Sequence, residues 1–194
     1  MKVTPGNNQR MVIVSIISIV ILFFLWLTKI NGVTLDSISY YGLHLIYEGM
    51  YLAMLWYLIS ILQFSGESVS VQTPFTIFLG VGLVNYLISL VNVQTAVIAG
   101  TGALVGIITI YTAIYTFHVK HHNIKRPFRI LGIALLVALL LKISLVFLPI
   151  PPGKYVPGPD RFIGLINLIP LLAILYILLQ TRRILKAEPV SSSE

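Results

Sequence analysis

Two ionisable residues stand inside long apolar runs of this chain. Glu48 lies within the apolar run 41–64, and Lys142 lies within the run 127–149. A charged group at the centre of a membrane helix costs about 2.5–3.5 kcal/mol, so each of these residues needs a compensating role. At the helical rise per residue, Glu48 lies about 12 Å and Lys142 about 10 Å below the same membrane surface. We therefore expect an ion pair between them.

Further polar side chains fall at the same depth. His44 lies one helical turn from Glu48 on the same face, while Asn85 and Asn167 lie about 12 Å and about 8 Å below that surface. Glu48 would bind a cationic group, Lys142 an anionic group, and tyrosine an aromatic or apolar body. The sequence predicts a binding layer for a small polar or zwitterionic ligand, made of His44, Glu48, Tyr51, Asn85, Lys142 and Asn167.

The same polar layer has two other interpretations. Hydrogen bonds and an ion pair across helices would fix how the helices pack, without binding any ligand. Lys142 would alternatively face lipid and extend its ammonium group to the membrane surface. The sequence leaves all three interpretations open.

Other kinds of catalytic or metal chemistry find little support. The segment His118-Val119-Lys120-His121-His122 is similar to one histidine box of membrane di-iron hydroxylases and desaturases. Those enzymes need several boxes, whereas this chain has 4 histidines in all and no cysteine. We expect no metal and no cofactor. His44 and Glu48 could still act as a dyad on a substrate, so the catalytic residues stay unassigned and a non-catalytic role is favoured.

The elements that position these residues are six apolar runs of helical length. Each is close to the about 20 residues that span a bilayer core of about 30 Å. Hydrophobic residues make up 57% of the 194-residue chain and charged residues 10%, which is far from the composition of a soluble domain. The sequence predicts an all-α, polytopic membrane protein that is a single integral membrane domain, 1–194, with a flexible tail at 187–194. The predicted spans are 11–28, 41–64, 74–93, 96–117, 127–149 and 162–180.

The distribution of basic residues predicts the orientation in the membrane. With both termini cytoplasmic, the inner side holds Lys2, Arg10, Lys120, Lys125, Arg126, Arg129, Arg182, Arg183 and Lys186, and the outer side holds Lys29, Lys154 and Arg161. This asymmetry follows the positive-inside rule. The net charge of +7 therefore indicates contact with anionic lipid headgroups rather than with nucleic acid. We expect a multi-pass protein of the cell membrane.

The predicted function is binding or transport of a small molecule at an outward-facing polar site. The site would open beneath the proline-rich loop 149–159, in the outer half of the bilayer. The first alternative is a non-catalytic subunit or assembly factor that contacts partner membrane subunits. The second alternative is an integral membrane enzyme that uses His44 and Glu48.

Overall fold

The structure is a computed structural model that describes the backbone of residues 1–31, 37–90, 95–146 and 160–187. It describes the side chains of residues 1–31, 39–88, 103–145, 162 and 164–186. These residues form six helices: α1 (Pro5–Ile30), α2 (Ser37–Phe64), α3 (Val69–Leu90), α4 (Thr95–Thr116), α5 (His122–Val146) and α6 (Asp160–Ala187). The loop 149–159 and the tail from 188 onward lie outside the described residues.

Most of these helices are long and apolar enough to cross a membrane. Five helical stretches qualify within the described residues: Pro5–Ile30, Ser39–Phe64, Val69–Ile88, His122–Leu145 and Gly164–Lys186. In α4 the apolar stretch with described side chains is Ala103–Thr116, which is shorter. The prediction of an all-α, membrane-embedded fold is therefore confirmed.

The helices extend beyond the apolar runs at several ends. Helix α1 begins at Pro5 instead of near residue 11, because Thr4 caps it: the Asn7 backbone N–H donates to Thr4 Oγ1 at 3.2 Å. A proline at the first helical position suits a helix start, since its missing N–H would have no intrahelical partner there. Helix α6 continues through Arg182 and Arg183. The helices therefore continue beyond the apolar runs into polar and charged residues.

The helices form a closed ring. Each helix packs against its neighbours along the chain, and α6 packs back against α1. Helices α2 and α5, which carry Glu48 and Lys142, are therefore separated along the ring by α3 and α4 on one side and by α6 and α1 on the other. This arrangement surrounds a central interior that the side chains of the ring can either fill or leave open.

One half of that interior is densely packed. The largest fully buried side chains come from the second half of α2, the first parts of α3 and α5, and the middle of α6, with Tyr57, Phe75, Phe128 and Leu171 among them. The rings of Phe75 and Phe128 meet edge to face, with centroids 5.7 Å apart. We call this half of the bundle the packed half. It closes the interior at the end where the basic residues of α5 and α6 lie.

Hydrogen bonds between helix ends hold the packed half together. Glu67, in the turn between α2 and α3, is buried, and its Oε1 accepts from the backbone N–H groups of Lys120 (2.9 Å) and His121 (2.6 Å). Asn8 Nδ2 of α1 donates to the carbonyl of Leu178 in α6 at 2.9 Å. These bonds join the α2–α3 turn to the α4–α5 turn, and α1 to α6.

Candidate functional site

A cavity of about 400 Å³ occupies the other half of the bundle. Its lining comes from α2, α3, α4, α5 and α6, and none of its lining residues belongs to α1. All of the residues predicted for the polar layer line it: His44, Glu48, Tyr51, Asn85, Lys142 and Asn167. Residues that the sequence places at one depth therefore line the same cavity. Their role in binding a ligand stays a prediction.

Helix α2 supplies the acidic and aromatic wall of the cavity. His44 Nδ1 lies 3.4 Å from Glu48 Oε1, as the spacing of one helical turn allows. The His44 ring contacts Tyr47 edge to face at 6.2 Å between centroids, and Tyr47 stacks on Tyr51 at 6.4 Å. A carboxylate beside stacked aromatic rings is a suitable environment for an organic cation.

The Glu48 carboxylate is only partly used by the protein. Its Oε1 faces His44, while its Oε2 is buried and accepts no hydrogen bond from any described residue. The side chain is 21% exposed, against 43% for His44. A buried oxygen without a donor is costly, because it has left water without gaining a partner. Glu48 Oε2 is thus an acceptor without a donor in the wall of the cavity.

Lys142 lies on α5, across the ring from Glu48, and the predicted ion pair between them does not form. Among the described residues the one pair of basic and acidic side chains within 4.0 Å is His44–Glu48, and Lys142 has no hydrogen-bond partner there. The reason is geometric: similar depth on two helices does not make them adjacent, and α2 and α5 are not neighbours in the ring. Lys142 also does not belong to the lipid-facing surface formed by its exposed neighbours Leu141 and Ile143.

Helices α3 and α6 add amides to the polar end of the cavity. Asn85 is partly buried and already takes part in an interaction within the protein. Asn167 lies one turn before Pro170 on α6, and both line the cavity. Proline lacks an N–H, so the Ile166 carbonyl loses the intrahelical donor that position 170 would otherwise supply. Asn85 and Asn167 therefore place amide groups on two walls of the cavity, α3 and α6.

Sequence reasoning missed the apolar part of the lining. The cavity also touches Tyr47 and Pro170, small groups at Gly82, Gly106 and Thr109, and an apolar set made of Leu52, Leu55, Phe78, Val105, Leu135, Ala138 and Leu139. Outside α4, these residues lie three, four or seven positions from a predicted polar residue on the same helix, as Leu135, Ala138 and Leu139 do from Lys142. Extending each polar residue along its helical face would have found them.

The histidine-rich segment lies away from the cavity. His118, His121 and His122 are exposed at the end of α4 and the start of α5, beside the Glu67 hydrogen bonds. Within the part of the chain that the structure describes, no three His, Cys, Asp or Glu side chains are placed to hold a metal ion. The segment lies in the basic region at the packed end of the bundle.

The cavity presents an acidic side chain on one wall and a basic side chain on another, together with aromatic and amide side chains. Such a site complements a molecule that carries both charges. Comparisons of the chain with known protein families, with curated proteins and with solved structures find no match.

Proposed function

We propose that this protein binds a small zwitterionic molecule in the cavity, from the outer side of the cell membrane, as a binding or transport protein. One observation carries the proposal: Glu48 and Lys142 line the same cavity of about 400 Å³ without pairing with each other. Two membrane-buried charges that neutralise each other need no ligand. Two membrane-buried charges that stay unpaired carry a large desolvation cost, and a ligand with complementary charges would compensate both of them.

The packing of the bundle supports access from one side. The packed half closes the interior beyond the cavity with large apolar side chains such as Tyr57, Phe75 and Phe128. This is expected of a protein that captures a ligand from one side, and is unlike an open channel, which needs a continuous polar path. The cavity volume lies within the about 300–1,000 Å³ that is common for ligand sites.

The proposed topology has six spans and both termini in the cytoplasm. It rests on the length of α4, 22 residues, and on the basic residues collected at the packed end of the bundle. Because the chain has no cysteine, single cysteines can be introduced and labelled without background. In intact cells an impermeant maleimide should label Asn31→Cys and leave Lys120→Cys unlabelled until the cells are opened. The reverse pattern would invert the proposed orientation.

Native mass spectrometry of the purified protein tests the binding function. We expect a copurified small molecule on the natural chain, and its loss from Glu48→Gln and from Lys142→Met. Lys120→Met is the matched control, because the Lys120 side chain is exposed outside the cavity. Full retention of the bound molecule by both cavity variants would refute the proposed site.

A second candidate, an integral membrane enzyme, is favoured by the 3.4 Å approach of His44 to Glu48 within the cavity. Substitution of His44 distinguishes the binding function from the enzymatic one. If the bound molecule is chemically altered by the natural chain and unaltered by His44→Asn, the protein is an enzyme. If His44→Asn changes affinity alone, the binding function holds.

A further inference from the structure

The cavity is polar at one end and apolar at the other. Its polar lining groups lie toward the beginnings of α2 and α6 and the ends of α3 and α5: His44, Glu48, Asn85, Lys142 and Asn167. Its deeper lining, next to the packed half, includes Leu55, Phe78, Leu135 and Ala138. A ligand that fills this space must change from polar to apolar along its length.

The helical rise gives the length of the apolar part. Leu135 lies seven residues from Lys142 on α5, and Phe78 lies seven residues from Asn85 on α3. Each spacing corresponds to about 10 Å along the helix axis. The two helices thus give the same distance between the polar end of the cavity and its apolar end, which we call the floor.

The floor is closed by the packed half of the bundle. Leu58, Phe75 and Leu171 are fully buried just beyond the cavity, in the helices that line it. A ligand chain that reached this level would find no further space. The leaflet of a bilayer core is about 15 Å deep, so the apolar part of the cavity is shorter than the chains of a membrane lipid.

We propose that the ligand is a single-chain amphiphile, an inference that rests on the proposed binding function. Its head carries an ammonium group for Glu48 and an anionic group, phosphate or carboxylate, for Lys142. Its chain lies against Leu55, Phe78, Leu135 and Ala138 and ends at the packed half. The ligand enters from the water phase with its chain directed toward the packed half.

The test uses a graded series of probes on the full-length protein in nanodiscs. Phosphoethanolamine represents the head alone, and its butyl, octyl and dodecyl phosphodiesters add chains of increasing length. Binding is measured by isothermal titration calorimetry, with empty nanodiscs subtracted to remove partitioning into lipid. We expect affinity to rise roughly threefold to fourfold per methylene, and to stop rising near eight carbons, at about 1.2 Å per bond of extended chain.

A matched pair of α5 variants tests the position of the chain. Ala138→Leu fills the floor of the cavity, so it should weaken the octyl probe at least tenfold and change phosphoethanolamine by less than threefold. Val137→Leu is the control, because Val137 is in the same turn but is 39% exposed and does not line the cavity. It should leave both affinities unchanged.

The outcomes separate this inference from the proposed function. If phosphoethanolamine binds and the alkyl chains add nothing beyond empty nanodiscs, the amphiphile is wrong and the zwitterion site stands. If no probe binds and Glu48→Gln has no effect on any copurified molecule, the proposed function itself fails. A third outcome is that the probes bind in phosphatidylglycerol nanodiscs but not in phosphatidylethanolamine nanodiscs. This result would mean that a two-chain membrane lipid occupies the cavity, and it would overturn the proposal of a single-chain ligand.

Discussion

Gly132 lies at a close approach of α4 and α5, and its replacement by alanine tests the packing of the ring. A Cβ at Gly132 would overlap Thr116 Oγ1 and lie 2.9 Å from the Ala113 carbonyl oxygen. The second obstacle is backbone, so the helices must separate to admit a methyl group. Gly80 on α3 is the matched control, because a Cβ there meets nothing within 4 Å.

The magnitude follows from two opposing terms. Replacing glycine by alanine inside a helix stabilises it by about 1 kcal/mol at either position. Overpacking at Gly132 costs about 1–3 kcal/mol, and it is absent at Gly80. Gly80→Ala should therefore be more stable than the natural chain by about 1 kcal/mol, and Gly132→Ala less stable by up to about 2 kcal/mol. The difference in unfolding free energy between the two variants gives the cost of overpacking at Gly132.

The assay is unfolding by SDS in mixed micelles, followed by far-ultraviolet circular dichroism. Thr116→Ala together with Gly132→Ala should recover part of the loss, because it removes the Oγ1 obstacle and leaves the Ala113 carbonyl in place. If Gly132→Ala is as stable as Gly80→Ala, α4 and α5 do not approach each other closely at Gly132, which would contradict the packing of the ring at this position.

Two further predictions concern the packed end of the bundle. Glu67→Ala should lower the free energy of unfolding by about 1–3 kcal/mol, since the Lys120 and His121 N–H groups lose their acceptor, and Glu67→Gln should lose less because it keeps an oxygen there. Asn8→Ala should cost about 1 kcal/mol by removing its hydrogen bond to the Leu178 carbonyl. Both are measured in the same SDS titration.

Controls for these two predictions come from neighbouring residues. Asn7→Ala removes an exposed amide that bonds only the nearby Lys2 carbonyl, so it should change stability far less than Asn8→Ala. Equal effects of Asn7→Ala and Asn8→Ala would contradict the α1–α6 contact. Equal losses for Glu67→Gln and Glu67→Ala would show that the negative charge of Glu67, rather than its acceptor geometry, holds the two turns together.

The depth of the polar residues was predictable because a membrane helix is a rod of constant rise. Counting residues from the ends of the apolar runs placed His44, Glu48, Asn85, Lys142 and Asn167 at one level, and all of them line one cavity. Hydropathy also sufficed to predict an all-α membrane fold, since backbone groups in lipid must be satisfied within each helix. Both predictions depend on single helices and need no knowledge of how the helices pack.

The partners of those residues could not be predicted in the same way. The sequence suggested Glu48 with Lys142, whereas the structure brings Glu48 to His44 and leaves Lys142 on another wall. Which helices are neighbours is decided by close side-chain fits, such as α4 against α5 at Gly132 and Leu52 against Gly82, where a Cβ would meet Leu52 at 2.9 Å. These fits involve residues far apart in the chain.

The sequence by itself thus determined that the helices are apolar enough to cross a membrane and that the polar residues lie at one level along them. Only the tertiary structure decided that the helices close into a ring, that one half of the ring is packed and that the other half holds a cavity. The physical reason is that hydropathy and helical rise are properties of a single segment. Cavity shape depends on how the side chains of five helices fill, or fail to fill, the space that they share.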